Sequence, residues 1–551
     1  MPITPARLKT GQKGASVRKF SSYGPIDRDL NYYAPRKALI ARAMAQLVGE
    51  NPDKDGHYIT VWAPRQTGKT WVMQQILWDL RKDERFHVLK LNLEHLKMTE
   101  DTDEIIESVA SEIIQDMGMK NITVNKMKEF HTLFLKGSLD KPLVLIIDEF
   151  DALAEDAISG IAGVFRNIYT HRRDDPNPSS EKKYLLHSVA LIGVRSVLGI
   201  ENRRGSPFNV QRSLHIPNLT FNEVDEMFKW YEKESRQKVE QNVIERLFYE
   251  TQGQPGLTCW LGELLTEGFE DYIPDPDSPV TADNFKEVFA AAIDVLPNNN
   301  ILNIISKVRE EPYRDMTIEL FKTDRKIRFR YDDPGITYLY TNGVIKQEKT
   351  STASATENYV RFSNPFVQKR LFNYFSGELF SYTGKLHEPF EDISDTFGKD
   401  SLNIRNLMRR HQEHLKQNRE WLLKDAPRRK DMRIFEAVYH FNLYRYLCDF
   451  LDTWKGRVYP EFPTGNGKID IIIEYRGRIY GIEVKSYTNE TEYYEATEQA
   501  VRYGKQLGLS EISLVFFVEY IDDANRKKFE KDFTDEENGV RVTPIFVDTG
   551  L

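Results

Sequence analysis

Ten residues, Val61-Trp62-Ala63-Pro64-Arg65-Gln66-Thr67-Gly68-Lys69-Thr70, constrain this chain more than any others. An extended run from His57 to Trp62 enters them. A helical pattern of Val72, Met73, Ile76, Leu77 and Leu80 leaves them. Strand, turn-rich loop and helix in that order form a phosphate-binding loop. Its backbone N–H groups and the positive helix end point at the phosphates. Ala63, Pro64, Arg65, Gln66, Thr67, Gly68, Lys69, Thr70 and Trp71 are the expected nucleotide-binding residues. Lys69 would reach the β- and γ-phosphates, and the Thr70 hydroxyl would sit on Mg²⁺. Ala63 stands where the motif usually has its first glycine, which narrows the conformations open to the loop.

The second half of the site lies about 80 residues on, a spacing compatible with this motif pair. Leu143-Val144-Leu145-Ile146-Ile147 is continuously apolar, as a strand buried on both faces requires, and it ends in Asp148-Glu149. Asp148 is the expected Mg²⁺ ligand and Glu149 the residue that polarises the attacking water. The bland alternative is a buried strand capped by solvated acids. Motif order resembles the P-loop NTPases of the AAA and STAND-like class. Tyr32-Tyr33-Ala34-Pro35-Arg36, Ser206-Pro207-Phe208-Asn209 and Gln252-Gly253-Gln254-Pro255-Gly256 look like the AAA-like ATPases that carry a winged helix after the core. The resemblance implies ATP binding and hydrolysis. It also implies an N-terminal loop over the base, where Tyr33 and Arg36 either contact nucleotide or pack as a lead-in.

Bulk properties bound the rest. A chain of 551 residues exceeds one core, so three or four domains are expected. A formal charge of −8 argues against a wholesale nucleic-acid coat. Two cysteines, Cys259 and Cys448, give no disulfide framework and fit a reducing cytoplasm. Neither a secretory signal nor a membrane-spanning run of 18 apolar residues is expected, so no membrane partner is.

In order, residues 1–22 read as a flexible arm and 23–260 as the ATPase domain, a doubly wound parallel α/β sheet. Helices are expected over Asp103–Met117, Val124–Lys136 and Asp151–Tyr169. Strands are expected at Phe86–Leu93, Val189–Gly193 and Leu214–Pro217. The polar Arg172–Lys183 stretch reads as a flexible insertion. Thr220 with Glu223 forms a capping box. Arg195 and Ser196 stand where the class carries its γ-phosphate sensor, in place of the more usual Asn or Thr. Arg203, Arg204 and Arg212 are either arginine fingers toward a neighbour in a homo-oligomer or solvated loop residues.

Residues 261–375 read as a helical lid and a winged helix, with strands at Tyr338–Tyr340 and Val344–Lys346 around Asn342-Gly343 and a wing over Lys349–Glu357. Such a module either reads DNA or packs as a lid. Residues 376–430 form a basic helical linker. Asn403–Arg433 holds ten Lys or Arg against four acids, lying along phosphates or facing solvent.

Residues 431–551 carry a second chemical centre. Glu436 sits in an amphipathic helix, and Gly467-Lys468-Ile469-Asp470 opens a strand. The Arg476-Gly477 turn leads to Ile482-Glu483-Val484-Lys485. Glu483 and Lys485 share one face because strand side chains alternate. Asp, then Glu-x-Lys, resembles the PD-(D/E)XK nuclease superfamily. Glu436 matches its first-helix acid, and Gln499 with Tyr503 matches the Q-x-x-x-Y of the RecB-type branch. The resemblance implies a restriction-endonuclease-like α/β fold. Asp470, Glu483 and Glu436 would hold Mg²⁺ or Mn²⁺, and Lys485 would orient water for DNA hydrolysis. The bland alternative is an αβ domain whose hairpin bears exposed charges.

Together these features predict an ATP-regulated, metal-dependent DNA endonuclease. By fold-level analogy alone, such a protein suits prokaryotic defence or mobile-element control. The alternative is a nucleotide-dependent DNA-binding scaffold whose nuclease fold does not cut.

Overall fold

The computed structural model describes residues 18–193, 211–322, 327–351, 356–388, 391–427, 436–461, 470–486, 490–506 and 508–550. Arg195, Ser196, Arg203, Arg204, the 206–209 phrase and Gly467–Ile469 lie outside them, as does most of the N-terminal arm. The chain divides into two compact units, Met1–Ala292 and Ile293–Leu551.

The first unit begins with α1 (Lys37–Val48), β1 (Tyr58–Trp62), α2 (Lys69–Leu80), β2 (His87–Asn92) and α3 (Thr102–Met117). It continues through β3 (Leu143–Asp148), α4 (Glu155–Asp174), β4 (Leu186–Gly193) and β5 (Gln211–His215). Four helices follow: α5 (Phe221–Ser235), α6 (Gln241–Thr251), α7 (Pro255–Glu267) and α8 (Ala282–Asp294). The five strands pair in the order β2-β3-β4-β1-β5, all parallel. Alternation along β3 splits the core in two. Leu145 and Ile147 pack with Ile105 and Val109 of α3 and Ile161 and Phe165 of α4. Val144 and Ile146 pack with Leu39 and Ala43 of α1 and Val72 and Ile76 of α2. Each such buried side chain contributes roughly 2 kcal/mol.

Expectations for three stretches of the first unit need correction. Val124–Lys136 holds no α-helix; a 3₁₀ run covers Met127–Phe134. The Asp151–Tyr169 helix starts later, at Glu155, after a short 3₁₀ turn over Phe150–Ala152. The Arg172–Lys183 stretch is tied down. Asp55 accepts from Arg172 Nε at 3.1 Å and from Lys182 Nζ at 2.8 Å, and both cations are buried. Ser179 donates its backbone N–H to Asp53 O at 2.8 Å, and its Oγ meets His187 Nδ1 at 2.9 Å. The Thr220–Glu223 capping box forms as expected and starts α5. Cys259 and Cys448 are both free thiols, and burial pushes the Cys259 thiol up to about 12.

The second unit opens with three helices, α9 (Asn299–Val308), α10 (Tyr313–Lys322) and α11 (Pro334–Thr341). An antiparallel hairpin of β6 (Ile345–Ser351) and β7 (Thr356–Phe362) follows, then α12 (Pro365–Leu379). Tyr338–Tyr340 is therefore helix rather than strand. Asp333 caps α11 by accepting from Ile336 N, and Tyr338 stacks on Tyr313 at 3.7 Å. Next come α13 (Ile404–Leu422), α14 (Glu436–Asp452), β8 (Arg457–Glu461), β9 (Asp470–Tyr475) and β10 (Arg478–Ser486). The chain ends with α15 (Glu490–Gln506), β11 (Glu511–Val518), α16 (Asp523–Phe529), β12 (Phe533–Asp535) and β13 (Val540–Asp548). A mixed sheet orders these strands β12-β13-β11-β10-β9-β8. Among the described residues no single helix is long and apolar enough to cross a membrane.

Candidate functional site

β1 delivers the chain into the loop, and Gly68 ends it as the left-handed N-cap of α2 (φ 83°). The only other left-handed loop residue is Gln66 (φ 54°). Ala63 is not among them, so a side chain there costs the loop no strain. Thr67 Oγ1 donates to Pro64 O at 2.8 Å. Lys69 is 8 % exposed and folds back on its own loop, donating to Ala63 O and Pro64 O, each at 2.9 Å. Burial lowers its pKa to about 8 against the opposing pull of Glu149, Asp151 and Asp148. Trp71 is buried, its ring edge-on to Tyr33 at 4.9 Å, and its indole N–H has no hydrogen-bond partner.

β3 ends at Asp148, which is 1 % exposed. Its Oδ1 accepts from Glu149 N at 3.1 Å, while its Oδ2 makes no hydrogen bond and lies 3.3 Å from the Lys90 ammonium. A buried carboxylate oxygen without a hydrogen bond suits an oxygen-seeking cation. Asp148 and the Thr70 hydroxyl are thus the groups that would hold Mg²⁺. Glu149 adopts the left-handed region (φ 54°), and its pKa is raised by burial first, then by Asp151 and Asp148. Asp151 closes the acid cluster, its carboxyl packing where a Cβ on Gly193 at the end of β4 would stand.

Two contributors escaped sequence reasoning. Lys90 was signalled only as a lone cation inside an apolar strand. Gln254 at the start of α7 donates to Arg65 O at 3.1 Å and Gln66 O at 3.2 Å, and Gly256 N donates to Gln66 O at 3.0 Å. The Gln-Gly-Gln-Pro-Gly phrase therefore holds the loop from behind, through contacts that span 188 residues and more. Arg36 has its partners in the segment that follows β5. It donates to Pro217 O at 2.7 Å and Asn218 O at 3.2 Å and lies 3.5 Å from Glu223, contacts that fit the packed lead-in. Arg212 pairs with Glu50 at 3.3 Å and sits beside Ile59, near the start of β1 and away from the loop.

The second centre lies in the C-terminal unit. Pairing of β9 with β10 sets residue 470 opposite Glu483. Glu483 is 1 % exposed, and Lys485 Nζ lies 2.8 Å from its Oε1. Glu483 and Lys485 are register partners of Leu514 and Phe516, both in the core that packs with Tyr493, Ala500 and Tyr503 of α15. The helix bearing Gln499 and Tyr503 therefore covers the strand face bearing Glu483 and Lys485. Glu436 is the first residue of α14, one turn before His440. Burial, with the charge of Lys485, lowers the His440 pKa to about 3. The side chains of Glu436 and Asp470 lie outside the described residues. Within the described part of the basic stretch, several cations are paired. Arg405 pairs with Asp532 at 2.6 Å, Lys416 with Asp548 at 3.1 Å, and Arg410 with Asp395 at 2.6 Å.

The strand–loop–helix, the Asp148-Glu149 pair at the end of β3 and the five-stranded parallel sheet are the parts of a P-loop NTPase domain. A family profile described as an AAA-like domain matches residues 22–261. No curated protein matches the chain. Several solved structures are similar at low identity. The Walker-type ATPase PABY2304 of Pyrococcus abyssi is 14 % identical over 65 % of this chain and 99 % of its own, with a TM-score of 0.42. The Aeropyrum pernix ORC1 protein, solved in complex with DNA, is 14 % identical over 61 % of this chain and 92 % of its own, with a TM-score of 0.33. The Thermotoga maritima RuvB Holliday junction branch migration motor is also 14 % identical, over 59 % and 92 %, with a TM-score of 0.33.

Proposed function

We propose that the chain binds and hydrolyses ATP with Mg²⁺ and that nucleotide state controls a metal-dependent DNA endonuclease in the C-terminal unit. The observation that carries the nuclease half is the register of β9 on β10. It sets residue 470 opposite Glu483, with Lys485 on the same face under α15. Two carboxylates at that spacing would hold Mg²⁺ or Mn²⁺, and the adjacent ammonium would orient the attacking water. The three helices and hairpin of residues 299–362 suit a winged helix that contacts DNA or closes on the nucleotide. A role in prokaryotic defence or mobile-element control remains an analogy of architecture.

The test is cleavage of linear and circular DNA with Mg²⁺ or Mn²⁺, with and without ATP. Lys485→Ala should abolish cutting, and Lys69→Ala should abolish its response to ATP. Cutting that survives Lys485→Ala would refute the nuclease assignment. Cutting indifferent to ATP and to Lys69→Ala would refute the coupling. A second reading has one observation in its favour: Glu483 is 1 % exposed and already paired with Lys485. In that reading the fold binds DNA without cutting, and Asp470→Ala leaves both metal content and DNA affinity unchanged.

A further inference from the structure

On the face of the C-terminal sheet opposite Glu483, a cavity of about 630 Å³ opens beneath the start of α13. Ser513 pairs with Ile482 and Thr543, one step off the Glu483–Leu514 row, so it faces the other way. Three arginines line the cavity, Arg405, Arg478 and Arg541, against two acids, Asp532 and Glu511. Asp532 is held between Arg405 and Arg541, and Glu511 accepts from Thr543 Oγ1 at 3.2 Å. The Arg478 guanidinium is exposed and makes no ion pair or hydrogen bond among the described residues. Ser513 is 5 % exposed, lines the cavity and has no hydrogen-bond partner there either. The N-terminal N–H groups of the 19-residue α13 open at the same rim, with Asn403 capping only Asn406 N.

The Ser513 hydroxyl, the exposed Arg478 guanidinium and the α13 N-terminus line one concave space of ligand-pocket size. We propose that this cavity binds the phosphate of a mononucleotide-sized phosphomonoester. Arg478 supplies a charge-assisted fork, Ser513 a hydroxyl donor, and the α13 terminus the positive end of its dipole. The cavity wall includes Gly481, two residues before Glu483 on the same strand. Occupancy therefore bears on the strand that carries the second centre. The binding claim itself does not depend on cleavage.

The test uses the full chain carrying Lys69→Ala, which removes the phosphate-binding lysine of the first unit. Inorganic phosphate and adenosine monophosphate are titrated by calorimetry. Arg478→Glu should weaken both by about tenfold or more, and Ser513→Ala by several-fold. The same charge reversal at the exposed Lys527 should leave binding unchanged. Phosphate that binds the Arg478→Glu chain as well as its parent, or binds neither at millimolar concentration, overturns the proposal. A mononucleotide that competes with phosphate, where an oligonucleotide without terminal phosphates does not, supports the monoester. The reverse pattern overturns that ligand class.

Discussion

At the scale of single residues, the nucleotide loop is set by contacts from far along the chain. A Cβ on Gly256 would meet the Gln66 side chain at 2.5 Å. Gly256→Ala must therefore move Gln66, one of the loop's two left-handed residues. Overpacking of this kind costs about 1–3 kcal/mol, so ATP affinity should fall roughly tenfold without unfolding. Equilibrium binding of a fluorescent ATP analogue, with circular dichroism as the fold check, measures it. Gly163 supplies the contrast. It is exposed on α4, and nothing lies within 4 Å of its would-be Cβ. Gly163→Ala should raise stability by about 0.5–1 kcal/mol in urea unfolding and leave nucleotide binding alone.

At the scale of elements, the tether between β1 and α4 is a buried charge cluster. Asp55 serves both Arg172 and Lys182, so Asp55→Ala leaves two nearly buried cations without a carboxylate. A loss of about 3–5 kcal/mol is expected in chemical denaturation. His187 packs in the same region, its Nε2 3.0 Å from Val48 O, and burial lowers its pKa to about 4. The folded state thus binds fewer protons than the unfolded chain between about pH 4 and 6.5. Stability from this histidine is full above about 6.5 and lost as pH falls toward 4, a change of roughly 3 kcal/mol. Melting temperatures between pH 7 and 4.5 should fall steeply, and His187→Gln should flatten part of that slope.

The same tether marks where sequence reading stops. β3 was legible because a strand buried on both faces must be apolar throughout. The phosphate loop was legible because its chemistry is local. The Arg172–Lys183 stretch looked loose because its anchor, Asp55, stands 117 residues before Arg172 and leaves no local trace. Tyr338–Tyr340 looked like strand because aromatic residues favour strands. The Asp333-Pro334 start signal, with Pro in the first helical turn, outweighed that preference. Gln254 belonged to a phrase that pointed to a family, yet only the folded chain shows it donating to the loop carbonyls.

At the scale of the whole molecule, two compact units hold separate cores. Heating should resolve two transitions in calorimetry. A nonhydrolysable ATP analogue with Mg²⁺ should raise the one belonging to the first unit, by an amount that grows with ligand concentration. Lys69→Ala should abolish that rise and leave the other transition in place. A single transition shifted as one by nucleotide would show instead that the units melt together.

Lys69 carries a consequence of its own. Its ammonium has two carbonyl partners inside the loop. Arrival of a phosphate is then an exchange, and only the difference between old and new partners appears as affinity. Such a loop gives up part of its grip in return for bonds that tie its lysine to its own backbone.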